Sequence, residues 1–132
     1  MAKKAIIPGA FQKAAEALHL SPGIISGGHV FLSGSTGGDA NGHMPKDPGE
    51  QMRNTFDKIG IVLAAADLEF DAVVEMTSYH VGLRDHFEMF DAVRLEYLRA
   101  PYPAWTAVEV AGLRRIGAIV EVRIIAALPG AD

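Results

Sequence analysis

A handful of side chains in this sequence could take part in chemistry, and their spacing rules out several kinds of it. The five histidines are His19, His29, His43, His80 and His86. No two stand four apart, as a helical zinc pair requires, and there is no cysteine to supply a thiolate. No metal site is expected. Ser78 and His80 share one face of the β-rich run Thr77-Ser78-Tyr79-His80-Val81, but two neighbours on one face do not by themselves make a nucleophilic triad with an oxyanion hole. Glu121 and Arg123 are likewise two apart, which places their side chains on one sheet face roughly 6–7 Å from each other. For Arg123 the alternatives are a cation offered to the site or a structural ion pair, with Glu121 or with Glu109 on a neighbouring strand, and the ion pair is expected. Trp105, the only tryptophan, offers an apolar wall and a single N–H donor without charge.

The elements that must position these groups follow from pattern. The first 20 residues hold Pro8 and Gly9 and then Ala/Lys/Glu-rich text suited to a short helical turn. Ile24-Ile25 and Val30-Phe31-Leu32 flank Gly27-Gly28, a tight-turn pair, and predict a hairpin. Residues 35–48 form a Gly/Asn/Pro-rich loop, long enough to suggest a task or a partner. Asp47-Pro48-Gly49-Glu50 is a helix start, with a capping Asp, Pro at the first position and Glu three residues after the cap. Met52, Phe56, Ile59, Leu63 and Ala66 then mark one apolar helix face. Residues 72–82 predict a strand, Asp85-His86-Phe87-Glu88 a second capped helix start, and Phe90, Val93, Tyr97 and Leu98 its buried stripe. Residues 104–111 and 117–127 predict two more strands. The order is β-β-α-β-α-β-β, an α+β domain over residues 1–132 with two helices on one face of a mixed sheet. The other sheet face is expected to stay apolar around Ile119, Val120 and Val122.

Composition narrows the function. The chain has 132 residues, 49% of them hydrophobic, and a mean hydropathy of +0.17. At this size only about two-thirds of the unfolded surface is buried by folding, so part of that apolar content is expected on an interface between copies. The net charge is −4 and the cations are dispersed, without the basic stripe that a nucleic-acid backbone requires. No apolar run is long enough to cross a membrane, and Met1-Ala2-Lys3-Lys4 is followed by too short an apolar stretch for a signal peptide. A cytoplasmic homo-oligomer fits these features.

Five segments in uninterrupted order resemble the RidA/YjgF family. They are Val30-Phe31-Leu32-Ser33-Gly34, the helix from residue 49, the run from Val74 to Val81, Pro103-Ala104-Trp105-Thr106-Ala107-Val108-Glu109-Val110, and Ile119-Val120-Glu121-Val122. The likeness spans about residues 20 to 127. It implies a chorismate-mutase-like fold and a homotrimer whose sheets make a barrel-like core, with small-molecule clefts between subunits. It also implies hydrolysis of reactive enamines and imines, such as 2-aminoacrylate, to a keto acid and ammonia, without metal or cofactor. Some members carry an older label as translation-inhibiting endoribonucleases.

Carried over residue by residue, the resemblance makes Glu121 the carboxylate that orients or activates the attacking water. A carboxylate beside an apolar indole would have a raised pKa, which suits proton shuttling. Ser33 and Gly34 match the cleft floor, with Ser33 free to donate or accept a hydrogen bond, and Ala107 matches the wall. His80 would face the cleft or pack between subunits. Two positions depart from the family pattern. Trp105 stands where members carry an Arg that clamps a substrate carboxylate, and an indole cannot replace a bidentate cation. Leu20 stands thirteen residues before Ser33, where members often have Tyr. The expected cleft is larger, more apolar and less suited to a small amino-acid-derived anion. Asp91 lies near a family Asn position, and solvent exposure is expected for it.

Overall fold

The long helix begins where its cap dictates. In the computed structural model, which describes residues 2–130, the Asp47 carboxylate accepts a hydrogen bond from the backbone N–H of Glu50 at 2.9 Å, and Pro48 opens a helix that runs to Ala65. In chain order the elements are β1 (Lys4–Ile6), α1 (Gln12–Leu18), β2 (Gly23–Ser26), β3 (His29–Leu32), β4 (Ser35–Thr36), α2 (Pro48–Ala65), β5 (Val73–His80), α3 (Leu83–Arg94), β6 (Ala104–Glu109) and β7 (Val120–Ala127). The strands form one sheet in the order β1-β2-β3-β7-β5-β6, with β4 also paired to β7. β5 and β6 run parallel, and α3 supplies the crossover that a parallel pair needs. The other pairs are antiparallel.

The hairpin stands as expected, with Gly27 and Gly28 at φ +60° and +83°, both in the left-handed region that a two-residue hairpin turn demands. Met52, Phe56, Ile59 and Leu63 of α2 are fully buried, each worth about 1.5–3 kcal/mol of transfer free energy. With Phe90 and Val93 of α3 they cover Val30, Leu32, Met76, Val120, Val122, Ile124 and Ala126 of the sheet.

Several expectations need correction. Two short strands, β1 and β4, carry no signal in the sequence pattern, because three and two residues are too few for a periodicity to show, whereas the short helical turn expected within the first 20 residues is α1. Val120 and Val122 lie on the helix-covered face, not the open one; the pleat then sends Glu121, Arg123, Ile125 and Ala127 to the open face. Asp85 does not cap α3. That helix begins at Leu83 after Gly82, with no side-chain cap of its own, and Glu109 reaches across from β6 to accept from the N–H groups of Gly82 (3.1 Å) and Leu83 (2.7 Å). These two donors hold the Glu109 carboxyl below its usual range. With Glu109 so engaged, Arg123 makes no ion pair among the described residues: the pairs present are Asp39–His43, Arg53–Glu96 and Asp91–Arg94. Asp91, its side chain 41% exposed, keeps the expected access to solvent and also binds the Arg94 guanidinium at 2.6 Å.

Candidate active site

Ser33 and Gly34 mark a break in the sheet. Phe31 pairs with Ile125 and Ser35 with Val122, so four steps along one strand answer three along β7. The extra residue is a bulge, which bends the strand and re-aims side chains beside it. The Ser33 hydroxyl donates to the Ser21 carbonyl at 2.7 Å, and its lone pairs remain available to accept. Gly34 is required by close approach. A Cβ there would stand 2.8 Å from Cδ of Glu121 and nearer still to Oε2. The bulge therefore seats the Glu121 side chain over bare backbone.

These residues open on a cavity of about 460 Å³. Ser33, Gly34, Thr36 and Glu121 line one part of it; Phe11, Leu18 and Leu20, from α1 and its flanks, supply an apolar wall. Lys58 and Val62, one turn apart on α2, and Arg114 and Arg115, from the loop before β7, complete it. Sequence reasoning missed the three cations. The tandem Arg114-Arg115 was a visible signal, but nothing in the one-dimensional pattern tied it to Lys58. Burial, with the nearby Arg115 charge, holds the Lys58 ammonium below the usual lysine range. Arg115 is fixed by a donated bond to the Gly42 carbonyl at 2.8 Å, and its guanidinium lies within 3.3 Å of where a Gly38 Cβ would be.

A buried glutamine sets this loop. Gln51, 2% exposed, donates to the carbonyls of Pro45 (2.7 Å) and Gly117 (2.9 Å) and accepts from the Ile119 N–H (3.0 Å). One side chain thus ties α2 to the 45 loop and to the entry of β7.

Leu20, Ser33, Gly34 and Glu121 converge on the cavity, whereas Trp105, Ala107 and His80 of the same chain do not line it. Pleat parity is the reason. Tyr79 pairs with Glu121 and with Val108, which puts Glu121 on the open face, while Met76, paired with Trp105 and Ile124, is buried beneath the helices. Trp105 is stacked on Phe87 at 5.6 Å and an interplanar angle of 3°, lies under the Arg94 guanidinium at 4.3 Å, and donates from Nε1 to Ser78 Oγ at 2.9 Å. Within one protomer it is therefore not the indole neighbour of Glu121. His80 is 1% exposed, shares a 2.8 Å hydrogen bond with Ser78 Oγ and sits edge-on to Phe90. Burial pushes its pKa down, which makes it a neutral core group. A second cavity of about 520 Å³, between the C-terminal end of α2 and the 97–101 turn, contains none of the candidate site residues. Among the described residues no cluster of metal-binding side chains is found, and no helix is long and apolar enough to cross a membrane.

A helix-backed mixed sheet with a lone carboxylate seated over a bulge glycine, at the edge of a cavity of about 460 Å³, defines the class: an α+β domain with three helices on a mixed sheet. Residues 11–128 match the endoribonuclease L-PSP family model. The chain is 38% identical over 110 residues to the RutC family protein YjgH of Escherichia coli K12, covering 83% of this chain and 82% of that one. It is 32% identical over 99 residues to a 2-iminobutanoate/2-iminopropanoate deaminase of Bos taurus, covering 74% and 71%. A solved structure of protein YJGH superposes with a TM-score of 0.88 at 33% identity over 98% of each chain. The chain belongs to the endoribonuclease L-PSP family, which is the RidA/YjgF family.

Proposed function

We propose that this protein is an imine or enamine hydrolase that acts at a cleft completed by a second copy of the chain. The observation that carries the reading is Glu121: a carboxylate without an ion-pair partner among the described residues, seated over Gly34 in a cavity of ligand size. A relative named as an imino-acid deaminase supports the reaction type. In that reaction the imine enters as its protonated iminium, and Glu121 takes a proton from water as the water oxygen bonds to the iminium carbon. Glu121 returns that proton to the amine of the tetrahedral adduct; as the C–N bond breaks, the carboxylate takes the proton of the carbinol hydroxyl and passes it to the departing ammonia, giving a carbonyl compound and ammonium. Ser33 accepts a hydrogen bond from a polar group of the substrate.

The oligomer is expected to be a homotrimer. The open sheet face carries Phe31, 38% exposed, and Val74, 44% exposed, beside Ile125, and a second copy would cover them. A neighbour's β6 edge would bring its Trp105, already stacked on Phe87 and covered by the Arg94 guanidinium, to the rim of the cleft, where the indole adds an apolar edge and no free cation. With Trp105 in place of the family's Arg, 2-aminoacrylate should be a poor substrate. The test is to generate imines in situ from amino acids with an amino-acid oxidase and follow their loss with wild type and Glu121→Ala. Catalysed loss that vanishes with Glu121→Ala is expected, and turnover unaffected by that change overturns the assignment. Robust turnover of 2-aminoacrylate would refute the reading of Trp105. The replaced positions Leu20 and Trp105 also favour a second reading, a ligand-binding or chaperone-like trimer without chemistry. It predicts binding but no turnover of any imine. RNA cleavage is disfavoured by the net charge of −4.

A further inference from the structure

Three cations and one carboxylate line the same cavity without pairing to each other. Lys58, Arg114 and Arg115 appear in none of the ion pairs formed by the described residues, and neither does Glu121. Lys58 is half-buried and makes no hydrogen bond among those residues. Asp39 lies near enough to favour the Lys58 charge but forms no ion pair with it, so the cost of taking this cation out of water is only partly offset and an arriving anion would offset it further. Arg115 is held independently of any ligand by the Gly42 carbonyl, beside a Gly38 whose missing side chain leaves the guanidinium room, so its guanidinium is positioned in advance. The neighbouring wall is apolar: Phe11, Leu18 and Leu20, of which Leu18 and Leu20 are 41% and 44% exposed.

We propose that Lys58 and Arg115 form an anion subsite within each protomer, which holds the carboxylate of a substrate whose apolar chain lies along Phe11, Leu18 and Leu20. The subsite replaces in cis the cation that Trp105 does not supply, and it selects acids with a side chain longer than that of 2-aminoacrylate. This identification of the anion as a substrate carboxylate rests on the hydrolase reading; the anion subsite itself does not. Geometry explains the selectivity. A small acid clamped at Lys58 and Arg115 leaves the apolar wall uncovered, whereas each added methylene that covers it tightens binding by about fourfold.

The probes are straight-chain carboxylates from propanoate to hexanoate and the primary amides of the same chains, titrated calorimetrically into the assembled protein at low ionic strength. Carboxylates should bind at least tenfold tighter than their amides, with affinity rising along the series. Lys58→Met and Arg115→Gln should each weaken hexanoate by about 10- to 100-fold, the loss expected for a charged hydrogen bond, and leave hexanamide unchanged. Lys58→Arg and Arg115→Lys should keep most of the carboxylate affinity, which separates a charge effect from misfolding. Glu121→Gln should bind hexanoate as tightly as wild type or tighter, because a repelling charge is removed. Equal binding of carboxylate and amide, or hexanoate affinity within twofold of wild type in both Lys58→Met and Arg115→Gln, overturns the subsite. Carboxylate binding through these residues in a protein that turns over no imine keeps the subsite and sinks the hydrolase reading. Imine turnover indifferent to both variants keeps the hydrolase reading and overturns the placing of the substrate carboxylate in this subsite.

Discussion

Gly34→Ala is the sharpest probe of the site, because it changes a single methyl group and has one structural consequence. The new Cβ would lie 2.8 and 2.9 Å from Cδ and Cγ of Glu121, closer than real Cβ contacts allow. Gly34 does not have a positive φ, so the backbone tolerates Ala and the carboxylate must yield. Moving Glu121 off its rotamer costs about 0.5–1.5 kcal/mol, against a gain of about 0.4–1 kcal/mol from the stiffer unfolded chain. Stability should therefore change by no more than about 1 kcal/mol. Activity should not be spared: a general base displaced by about 1 Å loses on the order of 100-fold in rate. The assay is kcat and KM on an imine formed in situ, beside a urea melt at fixed protein concentration. A double-mutant cycle with Glu121→Gln completes the test, since in that background Gly34→Ala should cost little more. Wild-type turnover by Gly34→Ala would show that Glu121 need not sit where the bulge places it. An undiminished further loss in the Glu121→Gln background would show that Gly34 acts by another route.

Other outcomes follow from groups that sequence reasoning placed differently or passed over. Gln51→Leu removes one donor group and one acceptor that serve three backbone partners, and should cost roughly 2–4 kcal/mol in urea unfolding; a loss below 0.5 kcal/mol would deny its role as the tie between α2 and β7. His80 has a folded pKa below its unfolded value because of burial. The unfolded chain therefore binds its proton first, and stability should be full above about pH 6.5 and fall as pH drops through the unfolded value. His80→Gln should flatten that slope between about pH 7 and 5, and an unchanged slope would refute it. Glu109 has the opposite polarity of effect: its folded pKa is depressed by the Gly82 and Leu83 N–H groups. Its contribution is present above the ordinary carboxylate pKa and lost as pH falls through the folded value. Glu109→Gln should lower the melting temperature at pH 7, with the difference from wild type shrinking as pH falls through the ordinary carboxylate range towards the depressed folded value; a difference that does not shrink would refute it.

How much of this was legible in one dimension depended on whether the cause was local. Asp47 and Pro48 start α2 because a cap acts over three residues. Gly27-Gly28 makes the hairpin because two positive φ values suffice, and the stripe Met52, Phe56, Ile59, Leu63 repeats every helical turn. Each of these is decided within a few residues, and each stands in the structure. Ser33-Gly34 and Glu121 were recognisable as a matched pair of segments, yet their contact exists only because a one-residue bulge offsets β3 and β4 against β7.

What tertiary structure alone decided was which side of each strand meets which layer. Alternation told that Glu121 and Arg123 share a face, but not that this face is open while Val120 and Val122 go under the helices. One residue of register decides that, and register is set by pairing between strands far apart in sequence. The same parity put Trp105 and His80 beneath α3, away from the Glu121 cavity of their own chain. The cations of that cavity were beyond reach for a related reason: Lys58 and Arg115 are 57 positions apart, and only the packing of α2 against the entry to β7, held by Gln51, brings them to one wall.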